Sequence, residues 1–258
     1  MTIQTRSKFY YTEAVTLDNQ YLAFDEGGGE LTAVIDVGGY NPTALLDAVA
    51  RALNTSATAT FTVTFDRVTN FVTIAADAPF DLLITTGANA ASSIFGLLGF
   101  TGADLTGLST YTAAAPFASV FIPTFFLQDY MPFSRNKEAV QSAVNESGSG
   151  EIEVVSFGDR RFLDFSLTYI SDIDQGGDSP LETNVNAVAE AVTFMEFCTT
   201  RAPLEFMEDR DDENTYDVMR LEKTASDSKG TGYELREMIS KRLAGYFDTG
   251  RLSFRKMA

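Results

Sequence analysis

The sequence predicts an α+β protein that is mostly β, with a small α+β part followed by a strand-rich part carrying one packed helix. Three observations support this class. Residues 60–65 alternate threonine with apolar side chains, which is the period of a half-buried strand. Residues 181–206 show a helical period, and strand-like segments stand on both sides of them. A helix between strands is expected to pack on the sheet those strands form.

The helical pattern in 181–206 has a broad apolar side, roughly half of the circumference. That side contains Val185, Ala187, Val188, Ala189, Ala191, Val192, Phe194, Met195 and Cys198. Such an arc favours packing across a sheet over a narrow coiled-coil seam. Pro203 marks the end of the pattern, shortly after Arg201. We expect Cys198 to be a small core residue, because the chain has no histidine to activate a thiol.

Composition limits the chemistry that the chain can carry. The 258 residues suffice for two modest domains, and they include no histidine, no tryptophan and a single cysteine. The usual general base and the commonest zinc ligand are therefore missing. We expect no enzyme activity and no cofactor. The formal net charge of -17 argues against a conventional nucleic-acid-binding surface.

Neither the first residues nor the most apolar region of the sequence favours membrane insertion. Residues 1–11 contain Arg6 and Lys8 but no apolar run, so they predict neither a signal peptide nor an anchor. The most apolar region, 113–127, is interrupted by two prolines and is shorter than the ~20 residues that span a bilayer. We expect a protein that is made in the cytoplasm and either stays there or leaves by another route, with no membrane insertion.

The first hundred residues predict strands around one helix. Strands are expected at 21–24 and 31–37, with a turn at Gly27-Gly28-Gly29 that lacks the spacing of a phosphate loop, and further strands at 60–65, 71–75 and 80–84. Asn41 and Pro42 have the types of a helix cap and first position, and the apolar spacing carries that helix to about Asn54. An apolar segment, Ile-Phe-Gly-Leu-Leu-Gly-Phe, fills 94–100.

This order of elements, ending in Leu98-Gly99-Phe100, resembles a small α+β module of virion proteins from tailed bacteriophages. The resemblance covers about residues 10–100 and implies no catalytic residues. Residues 101–133 follow with many aromatic side chains and few charges, which indicates an inter-domain seam or an inter-subunit contact. The interface candidates are Phe117, Phe121, Phe125 and Phe126.

Residues 134–150 are polar and end in Glu-Ser-Gly-Ser-Gly, which predicts a loop or linker between domains 1–133 and 151–258. In the second domain, strands are expected at 151–157 and 161–170, joined by a turn at Gly158-Asp159. After the helix, strands are expected at 203–207, 215–223 and 233–240, and around Leu252 and Phe254.

Residues 150–258 resemble the tail-tube fold, and among its members the distal or minor tail proteins of long-tailed phages. The resemblance rests on the strand and helix order, on Phe157-Gly158-Asp159, and on Phe-Met-Glu-Phe and Pro-Leu-Glu-Phe at 194–197 and 203–206. It implies a tail-tube-like β-sandwich or barrel and a homo-hexameric ring around the DNA channel. The implied partners are the tail tube and tail-tip or hub proteins, with DNA only in passage. The implied location is the virion tail, after synthesis in the host cytoplasm.

Two acidic clusters are candidate sites. Asp172, Asp174 and Asp178 alternate as in a calcium loop, but the distal bidentate glutamate is missing, so a solvated turn is favoured. The second cluster contains Glu208, Asp209, Asp211, Asp212 and Glu213. In a ring protein these carboxylates are candidates to face the lumen, where negative charge would keep translocating DNA from binding.

The predicted function is therefore a structural component of a phage tail, at the distal tail, baseplate or tail tip. Two alternatives stay open. One is a receptor- or glycan-binding adaptor of the virion, in which the amino-terminal part recognises the host surface. The other, less favoured, is a cell-wall glycosidase, which would need paired carboxylates in a cleft although none stands in a recognisable motif.

Overall fold

The computed structural model describes residues 2–4, 7–126, 134–139, 143–146, 152–155, 159–167, 170, 188–209, 212, 215–237 and 245–257. The chain forms two compact units. The amino-terminal unit contains Lys8–Phe121 and Ala202–Tyr216, and the carboxy-terminal unit contains Met1–Ser7, Ile122–Arg201 and Asp217–Ala258. These units differ from the expected division into 1–133 and 151–258, because a late segment returns to the amino-terminal unit.

The described residues are mostly β, in several antiparallel sheets, which confirms the predicted class at that level. The helices are α1 (Pro42–Ser56) and α2 (Val188–Thr199). The strands are β1 (Thr2–Gln4), β2 (Lys8–Tyr11), β3 (Tyr21–Asp25), β4 (Glu30–Val34), β5 (Phe61–Asp66), β6 (Phe71–Leu82), β7 (Leu105–Thr112), β8 (Ser119–Phe121), β9 (Thr124–Phe126), β10 (Ser134–Ala139), β11 (Ala143–Glu146), β12 (Ile152–Val155), β13 (Asp159–Ser166), β14 (Leu204–Met207), β15 (Asp217–Thr224), β16 (Arg236–Glu237), β17 (Phe247–Asp248) and β18 (Arg251–Lys256).

The long strand β6 is the centre of the amino-terminal sheet. Its first half pairs with β5 and its end pairs with β3, while β7 pairs along its opposite side. The expected separate strand at 80–84 is wrong, because β6 continues through an irregularity between Ala75 and Phe80. Pro79 lies in that irregular stretch, where its lack of an N–H removes no ladder bond.

Helix α1 packs its apolar side on this sheet. Asn41 caps it as predicted, since its side-chain oxygen accepts from Ala44 N at 3.0 Å, and Pro42 takes the first position. Leu45, Val49 and Leu53 are fully buried. The sheet side of the same core is aromatic and includes Phe24, Phe61 and Phe80, whose rings meet edge to face.

The last turn of α1 also covers two strand edges. The Asn54 amide donates to Phe61 O at 2.9 Å and its oxygen accepts from Phe61 N at 2.7 Å, so the side chain bonds β5 as a strand would. The Ser56 hydroxyl donates to Thr32 O of β4 at 3.1 Å. The helix therefore occupies backbone groups that an uncovered edge would leave open.

Three further strands of the amino-terminal unit have the order β14-β2-β8. Phe9 of β2 contacts Phe206 at 5.0 Å and Phe121 at 6.4 Å between ring centroids. Phe117 is buried in the core of the amino-terminal unit and contacts Phe65, and Phe121 is buried beside Phe9. That these side chains form an interface stays a prediction. For Phe125 and Phe126, β9 pairs with β1, and the prediction for their side chains falls outside the described part.

The carboxy-terminal unit contains the strand order β10-β13-β18-β15 and helix α2. The predicted helix is confirmed over Val188–Thr199, and 181–187 lie outside the described residues. Its buried stripe is narrower than expected: Ala191, Phe194, Met195 and Cys198 are buried, whereas Ala189 is exposed. Cys198 is a core residue as predicted, and burial raises the pKa of its thiol.

Two expectations for the region before α2 are wrong. The proposed linker 134–150 contains strands β10 and β11. The expected hairpin between 151–157 and 161–170 does not form, because β12 pairs with β11 and β13 pairs with β10 and β18. The Gly- and Ser-rich segment thus connects two paired strands instead of two domains.

The strands expected after α2 are largely present. Those at 203–207 and 215–223 correspond to β14 and β15, and Leu252 and Phe254 lie in β18. At 233–240 only Arg236–Glu237 form a strand, and 238–240 are outside the described chain. No helix in the described ranges is long and apolar enough to cross a membrane.

Gly99, in the predicted Leu-Gly-Phe segment, cannot accept a side chain. Its φ is +81°, and a Cβ there would lie 2.1 Å from Ala115 O. Gly102 also has a positive φ of +97°, but a Cβ there would meet nothing within 4 Å. A side chain at Gly102 would add backbone strain alone, whereas a side chain at Gly99 would add both backbone strain and steric overlap.

We expect Gly99→Ala to lower the free energy of unfolding by more than about 3 kcal/mol, and Gly102→Ala by about 1 kcal/mol. Urea denaturation of both full-length variants measures the difference. Equal losses would show that the contact with Ala115 O does not constrain this segment.

Candidate functional site

The structure describes part of the predicted acidic sites. Asp172, Asp174, Asp178, Asp211 and Glu213 lie outside the described residues. Of the cluster after β14, Glu208 and Asp212 are exposed and Asp209 is half-buried. Among the described side chains, no group of three or more His, Cys, Asp or Glu residues is placed to hold a metal ion.

Carboxylates in the described turns accept hydrogen bonds from their own chain. Asp25 Oδ1 accepts from Gly27 N at 2.6 Å and from Gly29 N at 3.0 Å. The triple glycine is thus a hairpin turn, as predicted, and the N–H groups that could have held a phosphate already bind a carboxylate. Asp66 holds the next hairpin by accepting from Val68 N at 2.7 Å and the Thr69 hydroxyl at 2.9 Å.

Asp104 is the strongest acceptor of this kind in the amino-terminal unit. It accepts from Thr85 N at 2.6 Å, and from the hydroxyls of Thr85 and Thr86. These bonds favour the charged form, with the Thr85 N–H first among the causes, and they lower the pKa of Asp104 to about 2. In the carboxy-terminal unit, bonds from the Thr231 hydroxyl and Lys229 N lower the pKa of Asp227 to about 2.

The pair Glu205 and Arg67 is the most buried charged group in the amino-terminal unit. Glu205 is fully buried, and the Arg67 side chain is 10% exposed. Arg67 Nη1 donates to Glu205 Oε2 at 2.9 Å, and Thr43 N at the start of α1 donates to Glu205 Oε1 at 2.7 Å. Both carboxylate oxygens therefore have a donor, which burial of a charge requires.

Aromatic rings surround the guanidinium of Arg67. Its Cζ lies 4.6 Å from the Phe65 and Tyr216 ring centroids and 5.8 Å from that of Tyr10. Arg67 Nη2 also donates to the Thr43 hydroxyl at 3.0 Å. The Arg67 cation thus connects its own hairpin loop with the start of α1 and with the later segment Ala202–Tyr216 of the same unit, and its role is structural.

No local pattern in the sequence indicates this cluster. Glu205 stands in the segment Pro-Leu-Glu-Phe, and its partner Arg67 is 138 residues away. All four residues of β14 are buried. The usual alternation of buried and exposed positions is therefore absent from this strand, and it could not indicate that Glu205 is buried and paired.

An open cleft of about 670 Å³ is another candidate site in the amino-terminal unit. It lies where β3 and β5 separate along β6, and its lining is Glu26, Gly28, Gly29, Leu31, Thr58, Ala59, Asp77 and Ala78. Both Glu26 oxygens accept backbone N–H groups, from Thr58 and Ala59, at 2.9 Å. Asp77 Oδ1 accepts from Thr60 N at 3.0 Å. This cleft offers polar contacts to a ligand, and each Glu26 oxygen already accepts one backbone N–H group.

The sequence matches no protein-family model and no curated protein.

Glu205→Gln should lower the free energy of unfolding by about 3 kcal/mol, because it leaves the Arg67 charge buried without its counter-ion. Chemical denaturation of the full-length chain measures the loss. The exposed Glu13→Gln is the matched control and should change stability by less than about 0.5 kcal/mol.

Replacing both partners, by Arg67→Met with Glu205→Leu, should restore much of that stability, since no unpaired charge remains. A double variant as unstable as Glu205→Gln would show that the loss comes from packing alone.

Asp104→Asn should destabilise the protein most above pH 4 and progressively less as the pH falls towards 2. A carboxyl whose folded pKa of about 2 lies below its ordinary 3.8 stabilises the fold above pH 3.8, and this stabilisation is lost as the pH falls through about 2. Urea denaturation at several pH values measures it, with the exposed Asp18→Asn as control. A pH-independent difference between wild type and Asp104→Asn would contradict the assignment.

Proposed function

We propose that this chain is a structural component of a phage tail that assembles as a ring at the distal tail or tail tip. Neighbouring tail-tube and hub proteins would be its partners, and DNA would only pass through. The proposal starts from the two resemblances in the sequence. The mostly β architecture is compatible with it.

The observation that carries the proposal is the use made of acidic side chains. In the described turns, Asp25, Asp66, Asp104 and Asp227 accept N–H or O–H groups of their own loops, and Glu205 is locked to Arg67. Carboxylates bonded in this way hold their turns in one shape. Rigid loops on β units suit a protein that works by fitting its neighbours.

The exposed acidic residues give a second line of support. Glu208 and Asp212 are exposed, and the chain as a whole is strongly acidic. A ring lined with such residues would repel DNA and leave it mobile. This is the hypothesis, given from the sequence, that the acidic cluster after β14 faces the lumen of the ring.

Immunoelectron microscopy of phage particles carrying this chain tests the proposal. Antibodies raised against the full-length chain should label one end of the tail. Label on the capsid, or particles without label, would contradict it. Negative-stain images of the same particles after partial dissociation should contain rings that bind the antibody.

A glycan-binding role is the second candidate, because the cleft beside Glu26 and Asp77 has polar groups around an apolar side chain, Leu31. Ala78→Trp should fill this cleft and abolish binding to host cell-wall glycans by the full-length chain. Val68→Trp, at a residue 71% exposed and outside the cleft lining, is the control. Binding that survives Ala78→Trp would exclude the cleft as the glycan site.

A further inference from the structure

Strand β7 is an exposed and uncharged edge of the amino-terminal sheet. Its sequence, Leu-Thr-Gly-Leu-Ser-Thr-Tyr-Thr, contains no charged residue and no proline, the two residue types that proteins use to block an edge. Residues 106–110 are all exposed, and Leu108 is 58% exposed. In the described chain β7 pairs only with β6.

The direction of its backbone groups follows from one hydrogen bond. Ala113 N donates to Val72 O of β6. The backbone groups of Ala113 and Tyr111 therefore point towards β6, where they face Val72 and Ile74. In an antiparallel ladder the intervening residues point the other way. The N–H and C=O groups of Thr110 and Thr112 therefore point away from β6, and no described residue bonds them.

The other edges of this sheet are treated differently. Asn54 bonds both backbone groups of Phe61 at the start of β5, and Ser56 bonds Thr32 of β4. Gly107 N, near the beginning of β7, is bonded by Asp81 Oδ1 at 2.7 Å. The open part of the edge is thus confined to the stretch that contains Thr110 and Thr112.

Threonine rows extend from this edge across the outer face of the sheet. Thr64, Thr73 and Thr112 are aligned on β5, β6 and β7, and the hydroxyls of Thr73 and Thr112 lie 3.1 Å apart. The next row contains Thr62, Ala75 and Thr110. Neither row carries a charge.

The charge distribution favours a second copy of this chain as the occupant. With a net charge of -17, two copies repel each other over most of their surface, and an uncharged edge is where contact is least opposed. A basic partner, in contrast, would find no carboxylate among the side chains of β7 itself.

The register also suits self-pairing. Thr110 and Thr112 are two residues apart, so a two-fold axis through Tyr111 brings Thr110 of each copy opposite Thr112 of the other. Both then form hydrogen-bonded pairs, and each threonine row continues into the second copy.

We propose that β7 is a self-association surface, at which two copies of the chain join by antiparallel pairing about Tyr111. Four backbone hydrogen bonds then close the open edge, and the five-stranded sheets of the two copies join into one continuous sheet. An edge this short gives a weak and reversible contact, which becomes populated where copies are held together. The inference does not depend on the proposed role in a phage tail.

Disulfide trapping between two single-cysteine variants of the full-length chain tests the register. Thr110→Cys alone and Thr112→Cys alone place each cysteine opposite a threonine. A mixture places them opposite each other, with Cα atoms about 5.5 Å apart, within the range that a disulfide spans. Cys198 stays in place because it is buried.

Under mild oxidation by oxidised glutathione, the mixture should give roughly tenfold more covalent dimer than either variant alone. The matched control is Thr62→Cys mixed with Thr64→Cys, on the same face but on β5, which should give only the background of the single variants. Size differences between tagged and untagged chains identify the mixed dimer.

Three results would overturn the proposal: a mixture no better than its components, a control mixture equal to it, or a homodimer of Thr112→Cys exceeding the mixed dimer. A partner of another kind on β7 would produce the first result. Failure here would leave labelling of phage tails unaffected, and unlabelled tails would leave this pairing standing.

Discussion

The amino-terminal unit depends on one buried ion pair between distant parts of the chain. Glu205 enters a fully buried position only because Arg67 and the first turn of α1 supply donors to both of its oxygens. Arg67 in turn is held among the rings of Phe65, Tyr10 and Tyr216. A charge buried in this way is costly without its partners, so the pair specifies one position for the segment Ala202–Tyr216.

The same logic operates on a smaller scale in the turns. A hairpin or loop leaves N–H groups unbonded, and in this chain an aspartate beside the turn accepts them, as Asp25 does for Gly27 and Gly29. Part of the acidic composition is thus used to hold loops. At the strand edges, the side chains of Asn54 and Ser56 from helix α1 bond backbone groups in the same way. Where neither device is present, at Thr110 and Thr112, the edge stays available for another strand.

Carboxylates that accept hydrogen bonds from their own backbone hold the turns in one shape, and the proposed assembly role depends on such fixed shapes. The cleft beside Glu26 has open space and polar groups, and the Glu26 carboxylate is held in place there by the backbone N–H groups of Thr58 and Ala59.

Local signals in the sequence determined the described helices and many of the strands, whereas β2, β7, β8 and β10 were not expected. The cap at Asn41, the glycine turn and the threonine alternation each involve contacts within a few residues, and α1, the β3–β4 hairpin and β5 form where they predict. The class and the core position of Cys198 follow from the same short-range patterns. Only tertiary structure decided the pairing of β12 with β11, the burial of Phe117 and Phe121, and the meeting of Arg67 with Glu205. These contacts join segments whose local sequence is compatible with several partners, and the choice among partners is made by packing and by the cost of an unpaired buried charge.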